Sequence, residues 1–250
     1  MSYVLIHGGG STARFWDRVI PLLDAPALAV DLPGRAGRPA DLATLTLDDE
    51  VASVVADVEA NAGADVEASW LDAPITVVAH SSGGLVVPGV VARLGGRVVR
   101  ILLNAALVPE EGGCGFDCMQ PRHRDGLARS LDQARRAGTT ITLPGPPADP
   151  EAFRRAYGGD PLDDADLSFV VDPVRCVPDT VHHYFQPVHW SQVAGVPVTY
   201  MVNSRDRPVP AEDQERMAAR LPGPSRITRL ETGHIPAVTD PAHLAAQIMA

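Results

Sequence analysis

The chain has 250 residues, 45% of them apolar and 21% charged, the composition of a soluble globular protein long enough to bury a sizeable core. Its 31 acidic side chains outweigh 21 basic ones, for a net charge of −10 with no basic stripe, which argues against nucleic acid and anionic membranes as partners. No apolar run approaches the ~20 residues of a bilayer span, and three cysteines (Cys114, Cys118 and Cys176) are too few and odd in number for a disulfide framework.

The opening residues, Met1-Ser2-Tyr3-Val4-Leu5-Ile6-His7, have no basic region and too short an apolar stretch for a secretory signal, so the cytoplasm is the expected compartment. Residues 3–6 are predicted to form a strand that runs directly into His7-Gly8-Gly9-Gly10. A helix is expected over 15–23, a strand over 27–30 and a turn at Asp31-Leu32-Pro33-Gly34. Residues 41–72 hold nine acids and no base, and this stretch reads as a solvated helix face. Val51, Val54, Val55 and Val58 give that helix its apolar side; Thr46 with Asp49 forms a capping box before it, and Gly63 suits its end. Residues 75–79 are a buried strand, 84–94 a helix and 98–103 another strand.

From residue 108 to 192 the alternation stops, and this stretch reads as helices and loops around the breaker-rich Pro144-Gly145-Pro146-Pro147. Strands resume over 198–202 and 226–230 with a helix over 211–221 between them. A last helix opens on Asp240-Pro241. The expected organisation is a core of residues 1–107 and 193–250 with an insertion of residues 108–192 after the fourth strand. Strands alternating with helices imply a parallel sheet covered on both faces.

The chemistry concentrates in Ala79-His80-Ser81-Ser82-Gly83, a strand-to-helix turn with small residues around a serine. It matches the G-x-S-x-G nucleophile elbow, with Ala79 in place of the first glycine. By itself the pentapeptide fits an ordinary Ser/Gly turn equally well. Three further pieces stand after other strands: the glycine loop at Gly8-Gly9-Gly10, Asp206 in Asn203-Ser204-Arg205-Asp206, and His234 in Thr232-Gly233-His234. All lie at the carboxyl ends of predicted parallel strands, where sites form in such sheets. A serine needs a base to become a nucleophile, and the base needs an acid to orient it. Ser81, Asp206 and His234 supply these in the order Ser…Asp…His. Glu231 is the alternative acid, less well placed within the last strand. His80 is expected to pack or hydrogen-bond locally.

Through these motifs nearly the whole chain resembles the α/β-hydrolases, in particular the compact branch of plant methylesterases and hydroxynitrile lyases, whose members likewise start on the strand leading to His-Gly. The resemblance implies an α/β-hydrolase fold with a mostly parallel sheet of about six strands, a helical cap, and catalysis by Ser81, His234 and Asp206. The N–H groups of Ser82 and Gly9, helped by Gly10, would stabilise the oxyanion. No cofactor and no metal is implied, and the partner is a small-molecule substrate. Pro88, early in the helix after the serine, departs from the pattern and is expected to kink it.

Ser81 stands where dehalogenases and epoxide hydrolases of this fold carry Asp, and the cap Lys of cyanohydrin cleavage has no counterpart because the chain contains no Lys. Hydrolysis of an ester, thioester or lactone is the leading expectation. C–C bond hydrolysis, acyl transfer and a non-hydrolytic receptor remain as alternatives. His182, His183 and His189 have no Cys or carboxylate at ligand spacing and read as cap packing or pocket lining. The aromatic and sulfur side chains Phe116, Met119, Phe153, Tyr157, Phe169, Tyr184, Phe185 and Trp190 are candidates for a pocket wall.

Overall fold

Six strands form: β1 (Ser2–Ile6), β2 (Ala27–Val30), β3 (Ile75–His80), β4 (Val98–Asn104), β5 (Val198–Asn203) and β6 (Ser225–Leu230). The inner strands β1, β3, β4 and β5 are largely apolar with β-branched residues, whereas the edge strand β6 is largely polar and exposed. The computed structural model describes residues 1–35, 37–62, 73–139, 141–143, 147, 149–157 and 159–250. The strands form one sheet in the order β2-β1-β3-β4-β5-β6, with every pairing parallel. The winding reverses between β1 and β3, so the segments leaving these two strands diverge and open a crevice at their carboxyl ends.

Side chains alternate across the strands and fill two layers. Val4, Ile6, Val77, Ala79, Ile101, Leu103, Tyr200 and Val202 face one layer. It is closed by Val51, Val54 and Val58 of α1 (Leu47–Ala62), by Val87, Val90 and Leu94 of α2 (Val87–Leu94), and by Met217 of a later helix. Tyr3, Leu5, Val78, Leu102 and Met201 face the other layer, against Phe15, Trp16, Val238, Leu244 and Ile248. Each fully buried aliphatic side chain contributes roughly 1.5–3 kcal/mol, which places the main stabilising term in these two layers.

Between β4 and β5 lie α3 (Pro121–Ala137), α4 (Pro150–Tyr157), α5 (Asp164–Val170) and several single 3-10 turns. After β5 come α6 (Ala211–Ala218), α7 (Pro236–Thr239) and α8 (Pro241–Met249). The capping box forms as expected: the Asp49 N–H donates to Thr46 Oγ1 at 3.1 Å, and Asp49 Oδ2 accepts from the Thr46 N–H at 2.9 Å. Gly63, read as the end of α1, lies outside the described residues, as do Pro144, Gly145 and Pro146.

Two helix expectations are corrected. Residues 15–23 form two separate 3-10 turns, Ala13–Trp16 and Ile20–Leu22, because Pro21 in a helix interior would clash with the preceding turn and lacks its N–H. Residues 81–94 begin as a 3-10 helix (Ser81–Val86) and become α-helical only at Val87. Pro88 accounts for the switch, since it is accommodated only in a first turn, where its missing N–H has no partner to lose. The acidic stretch is not uniformly solvated either. Asp41, Asp48, Asp49 and Glu59 are exposed, but Glu50 is 1% exposed.

Candidate active site

Ser81 begins the turn that follows β3, with φ of 52° in the left-handed region. That strain lifts the hydroxyl out of the strand-to-helix corner, and it is available only because the neighbouring backbones come very close. A Cβ on Gly83 would lie 2.5 Å from the His7 carbonyl oxygen, and one on Gly84 would lie 2.8 Å from that of Leu107. A Cβ on Gly8 would meet the Cβ of Ser81 itself at 2.8 Å. Glycines are therefore required where β1 and the turn after β3 touch.

His234 follows β6 and Asp206 follows β5, and both reach Ser81. His234 Nδ1 donates to Asp206 Oδ2 at 2.6 Å, and His234 Nε2 stands 3.2 Å from Ser81 Oγ. A Nδ1–H that donates to a carboxylate leaves Nε2 as the acceptor for the serine proton. Asp206 is held on its other sides as well. Its Oδ1 accepts from the Val209 N–H at 2.8 Å, and its Oδ2 accepts from Gln214 Nε2 at 3.2 Å. Gln214, fully buried on α6, also donates to the Val209 carbonyl at 2.6 Å and accepts from the Asn203 N–H at 2.9 Å. Sequence reading missed Gln214, since a lone glutamine on a polar helix carries no signal. Glu231, the alternative acid, is exposed.

Two further histidines brace the site in neutral form. His80 Nε2 donates to the His234 carbonyl at 2.7 Å, and its ring stacks on Phe15 with centroids 4.7 Å apart. Burial, reinforced by the neighbouring His234, holds His80 well below the usual histidine range. His7 Nδ1 donates to the Gly8 carbonyl at 2.8 Å and its Nε2 accepts from the Leu32 N–H at 3.3 Å. Burial and then Arg35 push His7 down to about 4 from 6.5. Both rings thus take a proton more readily in the unfolded chain than in the fold. Stability is expected to fall as pH drops from about 6.5 to about 4, by roughly 3 kcal/mol for His7 alone, with His80 adding in the same direction. Thermal melts across that interval check this; a midpoint independent of pH there would mean that the rings are not buried neutral.

Gly9 lies against the serine turn. A Cβ there would meet Tyr184 Oη at 2.9 Å, Asp179 Oδ2 at 3.1 Å and Ser82 Oγ at 3.2 Å. Ser82 is the second residue of its 3-10 helix, so its N–H has no partner within the turn. The Gly10 N–H, by contrast, is occupied and donates to Asp179 Oδ2 at 3.0 Å. This corrects the expectation that Gly10 offers an oxyanion donor.

Above Ser81 lies a cavity of about 370 Å³. Phe153, Tyr157, Phe169 and Tyr184 line it as expected, together with Phe15 and Leu143, which sequence reading did not select. The guanidinium groups of Arg175 and Arg18 both lie over the Phe169 ring, 4.1 and 4.6 Å from its centre. Burial pushes the Tyr157 phenol up to about 12 and raises that of Tyr184, so both keep their protons. The other candidates sit elsewhere. Trp190 is core, Met119 packs against the core, and Phe116 pairs with Phe185, centroids 5.0 Å apart.

His182, His183 and His189, which lie between β4 and β5, divide as well. His189 stands on the surface, 3.2 Å from Glu111, and His182 is half-buried. His183 is buried, with Nδ1 3.1 Å from Glu50 Oε1. Glu50, Asp179 and His183 offer ligand atoms within 4.8 Å of one another, so the fold supplies the carboxylates that local spacing lacks. The cation among them is the Arg35 guanidinium, bonded to Asp179 Oδ1 and 3.4 Å from Glu50 Oε1. Burial opposes charge on His183, yet the two carboxylates raise its pKa. Burial likewise opposes charge on Asp179, but His183, Arg35 and the Gly10 and Thr180 N–H groups lower its pKa.

A profile of the Alpha/beta hydrolase family matches residues 3–248. The chain belongs to that family. This alpha/beta hydrolase is 34% identical over 104 residues to the pimeloyl-[acyl-carrier protein] methyl ester esterase of Neisseria meningitidis, a match covering 41% of the chain and about a third (35%) of that relative's length. Among solved structures, an extracellular alpha/beta-hydrolase from a Paenibacillus species superimposes with a TM-score of 0.77 at 20% identity, covering 100% of this chain and 97% of the other. The methylesterase MES16 from Arabidopsis gives 0.71 at 17% identity, covering 100% and 97%. At these identities the likeness establishes the fold alone. No helix among the described residues is long and apolar enough to cross a membrane.

Proposed function

We propose that the protein is a serine hydrolase that cleaves a carboxylic ester, thioester or lactone of a small organic molecule through an acyl-enzyme on Ser81. The observation that carries this is the continuous hydrogen-bonded chain from Ser81 Oγ through His234 to Asp206, with Ser81 at a left-handed backbone position beneath an apolar cavity.

The chemistry follows from the geometry. As Ser81 Oγ attacks the carbonyl carbon, its proton passes to His234 Nε2, and Asp206 stabilises the imidazolium through Nδ1–H. The carbonyl oxygen becomes an oxyanion and accepts from the N–H groups of Ser82 and Gly9. Losing one such donor typically costs about 3 kcal/mol of barrier. Collapse breaks the bond to the alcohol, thiol or lactone oxygen, which takes the proton from Nε2. Water, deprotonated by the same nitrogen, then attacks the acyl-enzyme; the carboxylic acid leaves and Ser81 regains its proton. Residues 108–192 act as the cap, because Leu143, Phe153, Tyr157, Phe169 and Tyr184 supply one wall of the cavity. Three cysteines, a small and odd number, fit a reducing compartment, the cytoplasm.

Exposure to a fluorophosphonate followed by intact-mass measurement tests the reading. A single adduct on the folded protein, together with turnover of p-nitrophenyl esters, is the expected result. No adduct and no turnover would overturn it.

A further inference from the structure

Gly8, Gly9 and Gly10 have no side chains with which to fix their own conformation, and glycine runs lose more freedom on folding than any others. A hydrogen-bond donor aimed at a reacting oxygen must nevertheless be held in place before the reaction begins. Whatever restrains this loop therefore comes from outside it.

At Gly8 the His7 side chain holds the carbonyl, and at Gly10 the restraint comes from the segment around Asp179. The Val177 N–H donates to the Gly10 carbonyl at 3.0 Å, and the Gly10 N–H donates to Asp179 Oδ2 at 3.0 Å, so both polar groups of one glycine are captured by one short stretch. Gly10 itself has φ of 67°, a conformation that this capture fixes. Asp179 is anchored through its backbone, which exchanges two hydrogen bonds with Leu143 at 2.8 and 2.9 Å. Its other carboxylate oxygen accepts from the Thr180 N–H at 2.7 Å and from Arg35 Nη2. Arg35 is in turn fixed by the Pro33 carbonyl at 2.8 Å and by Glu50.

A carboxylate next to a developing oxyanion would oppose catalysis if its charge were unmatched. Asp179 Oδ2 would lie 3.1 Å from a Cβ on Gly9, so the question is a local one. The Arg35 guanidinium, with 0% side-chain exposure against 1% for Asp179, offsets that charge within direct contact. The same four-residue cluster that joins the turn after β2, α1 and the segment before β5 thus makes an anionic clamp tolerable at this place.

We propose that Asp179, charge-matched by Arg35, is a positioning residue of the hydrolysis, setting the glycine loop so that the Gly9 N–H donates to the reacting carbonyl oxygen. The inference rests on the serine-hydrolase reading, with Gly9 as a donor. It also makes the oxyanion site complete only when residues 177–179 are seated on the loop.

Two variants test it. Asp179→Ala removes the clamp. Asp179→Asn preserves its shape but cannot serve both sides: whichever way the amide turns, its NH₂ confronts either the Gly10 N–H or Arg35 and the Thr180 N–H. Steady-state hydrolysis of p-nitrophenyl butyrate is compared with that of its thiono analogue, whose larger, less basic sulfur gains little from an oxyanion site. Each variant is expected to lose kcat by about 10- to 100-fold with KM changed less than about threefold, and to lose most of its preference for oxygen over sulfur. Should Asp179→Ala not fold, Asp179→Asn provides the reading. Equal losses on both substrates overturn the proposal, because they signal only a smaller folded fraction. Rates and preference within about twofold of the parent protein also overturn it and leave the serine mechanism standing. A parent protein that neither turns over nor takes a fluorophosphonate overturns both.

Discussion

Replacing Ser81 with alanine is expected to lower ester turnover on the order of 10⁵- to 10⁶-fold while leaving the fold intact. That loss corresponds to roughly 7–8 kcal/mol of barrier, the largest effect available from a single substitution in this protein. The fold should survive because the left-handed φ of 52° at this position already carries a Cβ, and alanine adds nothing to the strain. The oxyanion donors and the cavity remain, so a residual acceleration over water should persist. Steady-state kinetics with p-nitrophenyl butyrate, alongside a thermal melt, make the comparison. A variant that kept the parent rate would show that no acyl-enzyme forms on Ser81.

Asp206→Asn should come next, lowering kcat by about 10⁴-fold, roughly 5.5 kcal/mol, without unfolding the protein. Three donors converge on this carboxylate: His234 Nδ1–H, the Val209 N–H and Gln214 Nε2. An amide has one acceptor oxygen. If its NH₂ faces His234, the imidazole must present a lone pair at Nδ1 and carry its proton on Nε2, which removes the acceptor for the serine proton. If the NH₂ turns to Val209 instead, it opposes a backbone donor that cannot move away. Gln214 cannot relieve either arrangement by turning over, because its own amide is committed to Val209 and Asn203. The steady-state rate near neutral pH checks this, and a silent substitution would transfer the acid's role to another carboxylate. The exposed Glu231 is poorly placed to take it.

Much of this molecule is legible as local pattern. The β-branched runs of β1, β3, β4 and β5 are nearly uninterrupted because both faces of a parallel sheet are covered, so apolar character alone locates them. The Ser81 turn and the loops bearing Gly9, Asp206 and His234 are legible for a related reason. Each stands directly after a strand, and a parallel sheet brings all such carboxyl ends to one edge. Local pattern failed where one residue outvoted its neighbours: the apolar residues from Phe15 to Leu23 suggest a helix, but Pro21 forbids its interior.

The sequence by itself therefore determined the sheet, its coverage, and the order of Ser81, Asp206 and His234 along the chain. Only the tertiary structure decided what holds them. Glu50 belongs to a run of acids whose local reading is solvent, His183 reads as cap packing or pocket lining, and nothing in the local pattern marks Arg35 for the interior. Together with Asp179 they meet in the interior although the contacting partners are separated by 144 and 133 positions in the chain. No period or spacing announces such a meeting. A charged side chain is stable inside only in the company of its partner, and that partner is supplied by packing rather than by neighbours in sequence. The same reason hid Gln214 behind Asp206 and diverted the Gly10 N–H from the substrate to a carboxylate.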